Sequence, residues 1–389
     1  MLYLFGNQTQ VGWLYVMSAL LAGVVGLGFL LSRGSLRRLR LDRSLSSDSI
    51  YESDAVQVEL ALQRSRGLAA YQVELTETCP LAAPNDREQR LYAPLIPVRH
   101  PLIYAYPVLV DRRGVYSFPA LAVRSGFPFG FFRRRAHISA PTSVMVYPEV
   151  RPLARFPLLE KQLAAQLSIM RAGHGGEILG VRPFRSGDSP RHVHWRSTAR
   201  TGQLMSKEFA DETQPGLTLI LDTAFEGSTT TKHNPFEWAV KCAVSVADYG
   251  VRRGYPLRLL HGDARLPPFD HALVWDVVLQ LMARIQPHPT NTAQLFSRAA
   301  SGSLVVAVIP APRPAHVAAL TDLRGRGFPI MALLIDPISF GEADSKADDS
   351  YAALTANGID ALVIRGDEDY AAVLSQSTKV QGSSRAAAS

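Results

Sequence analysis

The sequence predicts an α+β multidomain protein with an N-terminal transmembrane helix, an antiparallel β-sandwich and then an α/β domain. Three observations predict this order. An uncharged apolar run occupies residues 11–31, short apolar runs interrupted by prolines follow it, and the last part of the chain alternates between buried-strand and helix patterns. A chain of 389 residues is long enough for two or three domains, each with its own core.

Composition narrows the class of protein. Hydrophobic residues make up 47% of the chain and charged residues 19%, which excludes a largely disordered protein. The two cysteines, Cys79 and Cys242, are too few for a disulfide framework, so a reducing compartment is favoured. The formal net charge is +7, and much of the excess lies in one cluster directly after the apolar run: Arg33, Arg37, Arg38, Arg40 and Arg43. The basic balance therefore indicates a membrane surface rather than nucleic acid.

Residues 11–31 are predicted to cross the membrane as a helix, because about 20 apolar residues span the ~30 Å hydrocarbon core. The arginines follow this run, whereas the basic residues of a signal peptide precede it. By the positive-inside rule, the basic juxtamembrane segment 32–43 holds everything after it in the cytoplasm. Residues 1–10 are interpreted as a short extracytoplasmic N-terminus or the remnant of a first membrane helix. A buried core helix is the alternative for residues 11–31.

Residues 44–150 are predicted to form a β-sandwich-like domain. The run from Val56 to Leu60 alternates with the period of a half-buried strand, and frequent prolines argue against long helices. The aromatic cluster at 127–132 is predicted to pack against the sandwich or a neighbouring domain, with an exposed docking surface as the alternative. Arginines 133–135 are predicted to form a solvated rim, with anionic lipid as the alternative contact. The predicted strands are 55–62, 71–76, 102–110, 115–123 and 143–147.

Residues 151–215 are predicted to connect this domain, through a helix at 157–171, to an α/β domain at 216–375. Regular alternation of strands and helices indicates a largely parallel sheet. Functional groups in such sheets gather at the carboxyl ends of strands, which singles out Asp222. The tail, 376–389, is predicted to be disordered. The predicted strands are 217–222, 257–260, 304–309, 330–335 and 361–364, and the predicted helices are 235–253, 272–285, 314–324, 350–356 and 368–374.

The signature segment, residues 175–208, concentrates charged, imidazole and indole groups. Asp188 follows Gly187 in a predicted tight turn, where it is expected to pair with Arg191 or cap the backbone. Arg182 is expected to pair with a carboxylate, since planar guanidinium groups suit such contacts. The Trp195 ring is expected to be buried, with its N–H on a carbonyl. This network either joins the two domains or also presents a surface to a partner, and the residue types leave both open. Its remaining members are Glu177, Arg185, His192, His194, Arg196, Arg200, Lys207 and Glu208.

The residue types allow two candidate metal sites. On a strand His192 and His194 would share a face, and Asp188 with Glu177 could complete the site of a zinc or manganese hydrolase. The second is at Asp222, where von Willebrand A domains hold a divalent cation with the pattern Asp-x-Ser-x-Ser. Ala224 and Glu226 stand at the two serine positions, so the pattern is degenerate. A structural or helix-capping role is favoured for Asp222.

The signature segment resembles that of the bacterial domain-of-unknown-function 58 family, and the resemblance extends over the whole chain. Members usually carry a helical hairpin anchor, and Phe184 replaces a usual tyrosine. Val181 and Val193 stand where leucine and isoleucine are common, which fits burial. The matching residues are Gly176-Glu177, Arg182-Pro183-Phe184, Gly187-Asp188, Arg191, His194-Trp195, Ala199-Arg200, Leu204 and Lys207-Glu208.

The resemblance implies a von Willebrand A-like (Rossmann-like) α/β domain and a place in the bacterial inner membrane, with the soluble domains in the cytoplasm. It also implies an adaptor that works with a MoxR-type AAA+ ATPase or other von Willebrand A proteins in a chaperone-like or cell-envelope system. No catalysis, cofactor or nucleic acid is expected. The alternative is a metal-assisted hydrolase that uses His192, His194 and Asp188. The residues expected to carry the interaction are Glu177, Arg182, Gly187, Asp188, Arg191, His194, Trp195, Arg200, Lys207 and Glu208.

Overall fold

The apolar run of the sequence forms helix α1 (Gly12–Gly34), whose last turn carries Arg33. By length and composition α1 is able to cross a membrane, and its large apolar side chains are mostly exposed. A signal sequence near the N-terminus shares these properties, so the length and composition of α1 fit a membrane anchor and a signal sequence equally.

The structure is a computed structural model, and two units of the chain, Met1–Glu149 and Val150–Ser389, are described one at a time. The predicted N-terminal segment, apart from residue 4, and the tail beyond residue 376 lie outside the described residues. The structure describes residue 4 and residues 12–173, 178–185, 190–209, 216–266, 273–299 and 302–376, without the side chains of 167–173, 178–180, 191 and 207–209.

The described part of the first unit contains α1 and strands in three sheets. The strands are β1 (Leu39–Leu45), β2 (Ile50–Tyr51), β3 (Ala55–Arg64), β4 (Ala70–Thr78), β5 (Glu88–Ile96), β6 (Leu102–Leu109), β7 (Gly114–Ser117), β8 (Leu121–Ser125), β9 (Arg134–Ile138) and β10 (Ser143–Tyr147). The sheet orders are β1-β3-β6, β2-β10-β7 and β5-β4-β8-β9. All pairs are antiparallel except β2 with β10.

Strands with alternating buried and exposed residues build the core of the first unit. In β3, Val56, Val58 and Leu60 are buried and the residues between them are exposed, as the period of two predicts. The prediction of one strand at 115–123 is wrong. That stretch forms β7 and β8 in different sheets, because Pro119 between them has no N–H to donate to a ladder. The β-sandwich itself stays a prediction.

The basic cluster after α1 is not uniform. Arg43 lies in β1 with its side chain 0% exposed, and its Nη2 atom is 2.8 Å from Glu77 Oε1. Its Nη1 atom donates to Ala140 O at 2.8 Å, and its guanidinium lies 4.5 Å from the centroid of the Phe118 ring. Arg43 is therefore a core residue rather than a free juxtamembrane charge, and the predicted segment 32–43 ends inside β1.

The aromatic cluster at 127–132 packs in two directions. Phe127 stacks on Tyr71 of β4 with ring centroids 4.9 Å apart. Phe132 meets Phe29 of α1 edge-on at 5.4 Å. Phe131 is exposed. Packing against the β-rich domain is therefore confirmed for Phe127. Phe131 is exposed, as the alternative prediction of a docking surface requires.

The described part of the second unit is a mixture of helices and strands. The helices are α2 (Pro157–Gly173), α3 (Trp195–Thr201), α4 (Pro235–Arg252), α5 (Trp275–Arg284), α6 (Thr292–Ser297), α7 (Pro314–Gly325), α8 (Ala347–Ala356) and α9 (Tyr370–Ser375). The strands are β11 (Ile178–Pro183), β12 (Met205–Phe209), β13 (Gly216–Leu221), β14 (Leu257–His261), β15 (Ser303–Ile309), β16 (Ile330–Ile335) and β17 (Asp360–Ile364).

Five of these strands form one parallel sheet in the order β14-β13-β15-β16-β17. Every residue of β15 is buried, as expected for a central strand covered on both faces. Val305 and Ala307 share an apolar cluster with Leu320 of α7, and Val306 between them faces the opposite side. Crossovers between parallel strands are right-handed as a rule, and this rule predicts that α4 covers that opposite side. The predicted parallel sheet is confirmed, and its likeness to a von Willebrand A domain stays a prediction.

Candidate functional site

The carboxyl edge of the parallel sheet holds the first candidate site. From β13 the chain crosses to β14 on one side, and the next sheet strand, β15, lies on the other, so the strand order reverses at β13. Ligands of open α/β sheets bind in the crevice outside such a switch point. Asp222 follows β13 there, is 0% exposed, and donates its N–H to Val308 O at 3.0 Å.

The Asp222 carboxylate accepts two hydrogen bonds from the protein itself. Its Oδ1 atom accepts from Ala224 N–H at 3.1 Å, and its Oδ2 atom lies 2.9 Å from His316 Nε2. His316 Nδ1 accepts from Arg313 N–H at 3.0 Å, so the Nε2 atom of a neutral His316 ring carries the hydrogen and donates to Asp222. Arg313 adds a longer contact, with Nη2 3.9 Å from Asp222 Oδ2.

This geometry joins the loop after β13 to the start of α7. His316 occupies the third position of α7, and its ring caps the helix through the Arg313 N–H. Ala224 contributes a backbone N–H and no side-chain oxygen, as its position in the degenerate pattern predicts. Within the residues that the structure describes, no group of three or more His, Cys, Asp or Glu side chains could hold a metal ion. The arrangement around Asp222 is that of a structural lock.

A second buried carboxylate lies near the same edge, two residues after β14. Asp263 accepts from Arg265 Nε at 2.7 Å, from Arg265 N–H at 3.0 Å and from Gln286 N–H at 3.2 Å. Burial by itself raises the pKa of Asp263. The hydrogen bonds and the charge of Arg265 outweigh burial, so the pKa lies below its usual value.

The sequence analysis missed Asp263, Arg313 and His316. The position of Asp263 after a predicted strand was a usable signal, since the same argument had singled out Asp222. No local pattern marks His316, which lies 94 residues after its partner in the chain.

The described part of the signature segment forms a hairpin with a short helix in its connection. Strands β11 and β12 pair antiparallel, with Arg182 opposite Ser206. Helix α3 begins at Trp195, and its last residue, Thr201, is followed by Gly202 in the left-handed region at φ 71°. Gly202 N–H donates to Thr198 O at 3.0 Å, which satisfies a carbonyl at the helix end. Thr198 Oγ1 also accepts from Met205 N–H at 3.0 Å, so α3 is tied to β12.

His194 is the N-cap of α3. Its Nδ1 atom accepts from Ser197 N–H at 3.2 Å and lies 2.9 Å from Ser197 Oγ. His192 lies in a 3-10 turn, Pro190–His192. The two histidines therefore do not share the face of a strand. The geometric argument for a metal-assisted hydrolase depended on that shared face and does not hold.

Trp195 lies on the surface, 70% exposed, so the expectation that its ring is buried is wrong. It is the first residue of the short helix α3, which buries none of its residues. Val181 is exposed as well, contrary to expectation, whereas the expected burial of Val193 is confirmed. Arg200 lies exposed in the last turn of α3.

The charge network of the signature segment stays a prediction. Glu177, Gly187 and Asp188 lie outside the described residues. Arg191, Lys207 and Glu208 have described backbones only: Arg191 in the 3-10 turn, the other two in β12. Arg182 donates through Nη1 to the carbonyl of Pro183, its neighbour in sequence, at 3.2 Å.

Comparison with known proteins gives a family match that includes most of the signature segment and continues into the α/β domain. Residues 180–295 match the family model described as "Protein of unknown function DUF58". The chain is also 23% identical over 220 residues to a protein of Bacillus subtilis (strain 168) named "Uncharacterized protein YeaD". That match covers 54% of this chain and 54% of the relative, so the chain spans about half the length of the curated relative.

The solved structures that match this chain have TM-scores too low to support an argument about its fold. Structural-genomics target SoR45 matches with a TM-score of 0.19 and 13% identity over 28% of this chain and 88% of that one. Sporulation control protein Spo0M of Bacillus subtilis matches with a TM-score of 0.17 and 14% identity over 39% and 59% of the two chains. A GH20 exo β-N-acetylglucosaminidase of Vibrio harveyi matches with a TM-score of 0.22 and 11% identity over 82% and 59%. The family match does not depend on them: residues 180–295 match the DUF58 family model, which confirms the resemblance seen in the signature segment.

Proposed function

We propose that the protein is a membrane-anchored adaptor that faces the cytosol and binds a MoxR-type AAA+ ATPase through its signature segment, in a chaperone-like or cell-envelope system. In this proposal the protein has no catalytic activity and no cofactor. The parallel sheet is a von Willebrand A-like scaffold, and the strands of the first unit form a β-sandwich. The partner class comes from the family resemblance.

The single observation that carries the proposal is the exposure of Trp195. A large aromatic ring on the surface is typical of interface hot spots, which are enriched in tryptophan and arginine. Helix α3 presents this ring in a defined position, because His194 caps one end and Gly202 the other. The exposed side chains of Arg196 and Arg200 lie on the same helix, and Leu204 just after it is exposed too. Together they have the composition of an interface core.

The closed geometry of Asp222 supports a binding role over a catalytic or metal site at the edge of the parallel sheet. At the switch point of an open α/β sheet, a catalytic or metal-binding carboxylate faces the crevice. Asp222 is fully buried, and both of its oxygens accept hydrogen bonds from Ala224 and His316. A surface that binds a protein partner does not require a free carboxylate at this position.

The membrane part of the proposal rests on α1 and on the charges at its end. Arg33, Arg37, Arg38 and Arg40 are exposed, so four members of the basic cluster are available to the headgroups of a membrane. The positive-inside rule then places the C-terminal side of α1 in the cytoplasm.

The test compares binding of a MoxR-type ATPase from the same organism to wild type and to Trp195→Ala, both as the full chain in lipid nanodiscs. Truncation of a hot-spot residue costs at least about 2 kcal/mol, so the affinity is expected to fall roughly 30-fold. Ile338→Ala is the matched control, because Ile338 is 54% exposed and lies in the same unit outside the signature segment. It is expected to bind as wild type does.

Two outcomes contradict different parts of the proposal. If wild type binds the ATPase and Trp195→Ala binds equally well, the signature segment is not the interface. If wild type does not bind any MoxR-type ATPase of its organism, the partner class is wrong.

A further inference from the structure

The exposure of α1 changes along its length. Gly28 and Ser32 are its buried residues, both in the last two turns, whereas its large apolar side chains are mostly exposed. The aromatic cluster covers Gly28: a Cβ atom placed there would lie 3.4 Å from Phe129 Cδ2 and 3.8 Å from the Phe132 ring. Phe29 meets Phe132 on the same side of the helix end. The loop at 127–132 therefore lies against the last turns of α1.

This contact defines the level of the loop relative to a bilayer. An α-helix rises about 1.5 Å per residue, so the 23 residues of α1 extend for roughly 34 Å, slightly more than the ~30 Å hydrocarbon core. The first charged residue of α1 is Arg33, directly after Ser32. When α1 spans a membrane, the turns that contact Phe129 and Phe132 are those that leave the hydrocarbon for the headgroups.

The loop exposes apolar surface at this level. Phe129 is 50% exposed and Phe131 66% exposed, and their ring centroids are 6.0 Å apart. The start of the loop is fixed to the β-rich unit, because Phe127 stacks on Tyr71 of β4 and the Phe127 N–H donates to Ser125 Oγ of β8 at 3.2 Å. Two phenylalanines on a fixed loop extend the apolar surface of α1, and such patches mark interaction sites.

Basic groups lie beside Phe29, which contacts the same loop. The guanidinium of Arg33 lies 5.0 Å from the centroid of the Phe29 ring, and that of Arg134 lies 6.0 Å from the same ring. Arg133 and Arg135, on either side of Arg134, are exposed. Phenylalanine between arginines is the composition of surfaces that bind anionic lipid, where apolar side chains enter the headgroup and acyl boundary.

A second loop lies at the same end of α1. Arg64, the last residue of β3, donates through Nη2 to Gly34 O, the last carbonyl of α1. The loop that follows carries the exposed Leu68. The opposite end of β3, at Ala55, lies nine residues from Arg64 along the strand and pairs with Leu109. Since a strand rises about 3.3 Å per residue, Leu109 lies roughly 30 Å from this end.

We propose that the loop at 127–132 is a second membrane contact, in which Phe129 and Phe131 enter the headgroup boundary of an anionic bilayer beside α1. This inference rests on the proposed role of α1 as an anchor. The occupant is lipid rather than a protein partner, because the apolar surface is continuous with a helix that is itself exposed to lipid. The arginines of residues 133–135 contact lipid phosphates in this arrangement.

The experiment attaches nitroxide labels to single cysteines in the full chain, reconstituted in phosphatidylcholine vesicles with and without phosphatidylglycerol. Native Cys79 and Cys242 are both buried and do not compete for the label. Phe131→Cys is the test position, Leu20→Cys reports on α1, and the exposed Leu109→Cys is the control far from the helix end. Accessibility to oxygen and to a water-soluble nickel complex is measured at each position.

The label at Phe131 is expected to be accessible to oxygen and protected from nickel in anionic vesicles, as at Leu20, whereas the label at Leu109 reacts with nickel. In vesicles without phosphatidylglycerol the protection at Phe131 is expected to fall severalfold. A water-accessible Phe131 label beside a lipid-protected Leu20 label overturns the inference and leaves the anchor intact. A water-accessible Leu20 label overturns the anchor, and the inference with it. Equal protection at Phe131 in both vesicles overturns the role of the arginines.

Discussion

Asp222 lies where a von Willebrand A domain would bind a divalent cation, but its contacts are those of a structural lock. Its carboxylate is fully buried and accepts hydrogen bonds from Ala224 N–H and His316 Nε2–H. Removing an acceptor leaves buried donors without partners, and each costs free energy that the folded state cannot recover from water.

Asp222→Ala is expected to lower the free energy of unfolding by about 2–4 kcal/mol, because both donors lose their acceptor. Asp322→Ala is the control on α7: its side chain is 73% exposed and lies 3.9 Å from Arg326, so its loss is expected to cost less than about 0.5 kcal/mol. Urea unfolding of the full chain in detergent, followed by circular dichroism, measures both. Equal stability of the two variants would show that the Asp222 contacts do not lock the fold.

Asp263 makes the free energy of unfolding depend on pH. Because its pKa is depressed in the folded protein, its contribution is present above the unfolded pKa of about 3.9 and is lost as the pH falls through the folded pKa. Asp263→Asn is therefore expected to be less stable than wild type by about 1–3 kcal/mol at pH 7, and the gap is expected to shrink below about pH 4. Thermal unfolding from pH 7 down to pH 3 measures the gap. A gap that stays constant on acidification would contradict the role of the Arg265 contacts.

For single residues, the sequence predicts where a side chain lies along an element better than it predicts which side chain it contacts. The sequence located Asp222 because it directly follows an apolar strand, and the structure confirms that position. Its partner His316 could not be predicted, since a contact between residues 94 positions apart depends on the packing of the sheet and α7. The Trp195 ring was expected to be buried with its N–H on a carbonyl, and no local pattern of the sequence predicts that the ring is exposed.

At the scale of elements, α3 depends on its caps. It has seven residues, too few to be stable as an isolated helix, so the contacts at its ends decide whether Trp195 is held in place.

His194→Ala removes the N-cap and is expected to destabilise α3 by about 1 kcal/mol. Amide hydrogen exchange in residues 195–202 is then expected to become about fivefold faster, measured by mass spectrometry on the full chain. His194→Asn is the matched variant, because asparagine is a strong N-cap, and it is expected to exchange nearly as slowly as wild type. If asparagine fails to restore protection, the imidazole has a role other than capping.

Polar composition accounts for several of the missed strands. The strands of the parallel sheet are apolar runs, and their predicted ranges agree with β13 to β17 within about one residue. β1, β5 and β9 lie at sheet edges and were not predicted, because edge strands are polar and tolerate proline, as Pro94 in β5 shows. β11 and β12 were hidden by the charged composition of the signature segment.

At the scale of the whole molecule, the question is whether α1 stays attached. An anchor and a signal sequence share length and apolar composition, and they differ in what happens after insertion.

We expect the full 389-residue chain to remain in the membrane fraction after alkaline carbonate extraction, with a C-terminal fluorescent reporter active in the cytoplasm. The physical reason is the uncharged helix followed by exposed arginines. Immunoblots of fractionated cells with a C-terminal tag measure the size and location. A shortened, soluble chain would instead identify α1 as a cleaved signal sequence.

The short connection between α1 and β1 limits how far the β-rich part of the first unit can lie from a membrane. Helix α1 ends at Gly34 and β1 begins at Leu39, so four residues separate them. Four extended residues span at most about 14 Å. With α1 in a bilayer, the β-rich unit is held within a short tether of the lipid surface and turns with the helix. It would then encounter other membrane proteins mainly by lateral diffusion, so the density of protein in the membrane, more than its cellular concentration, would set how often those encounters occur.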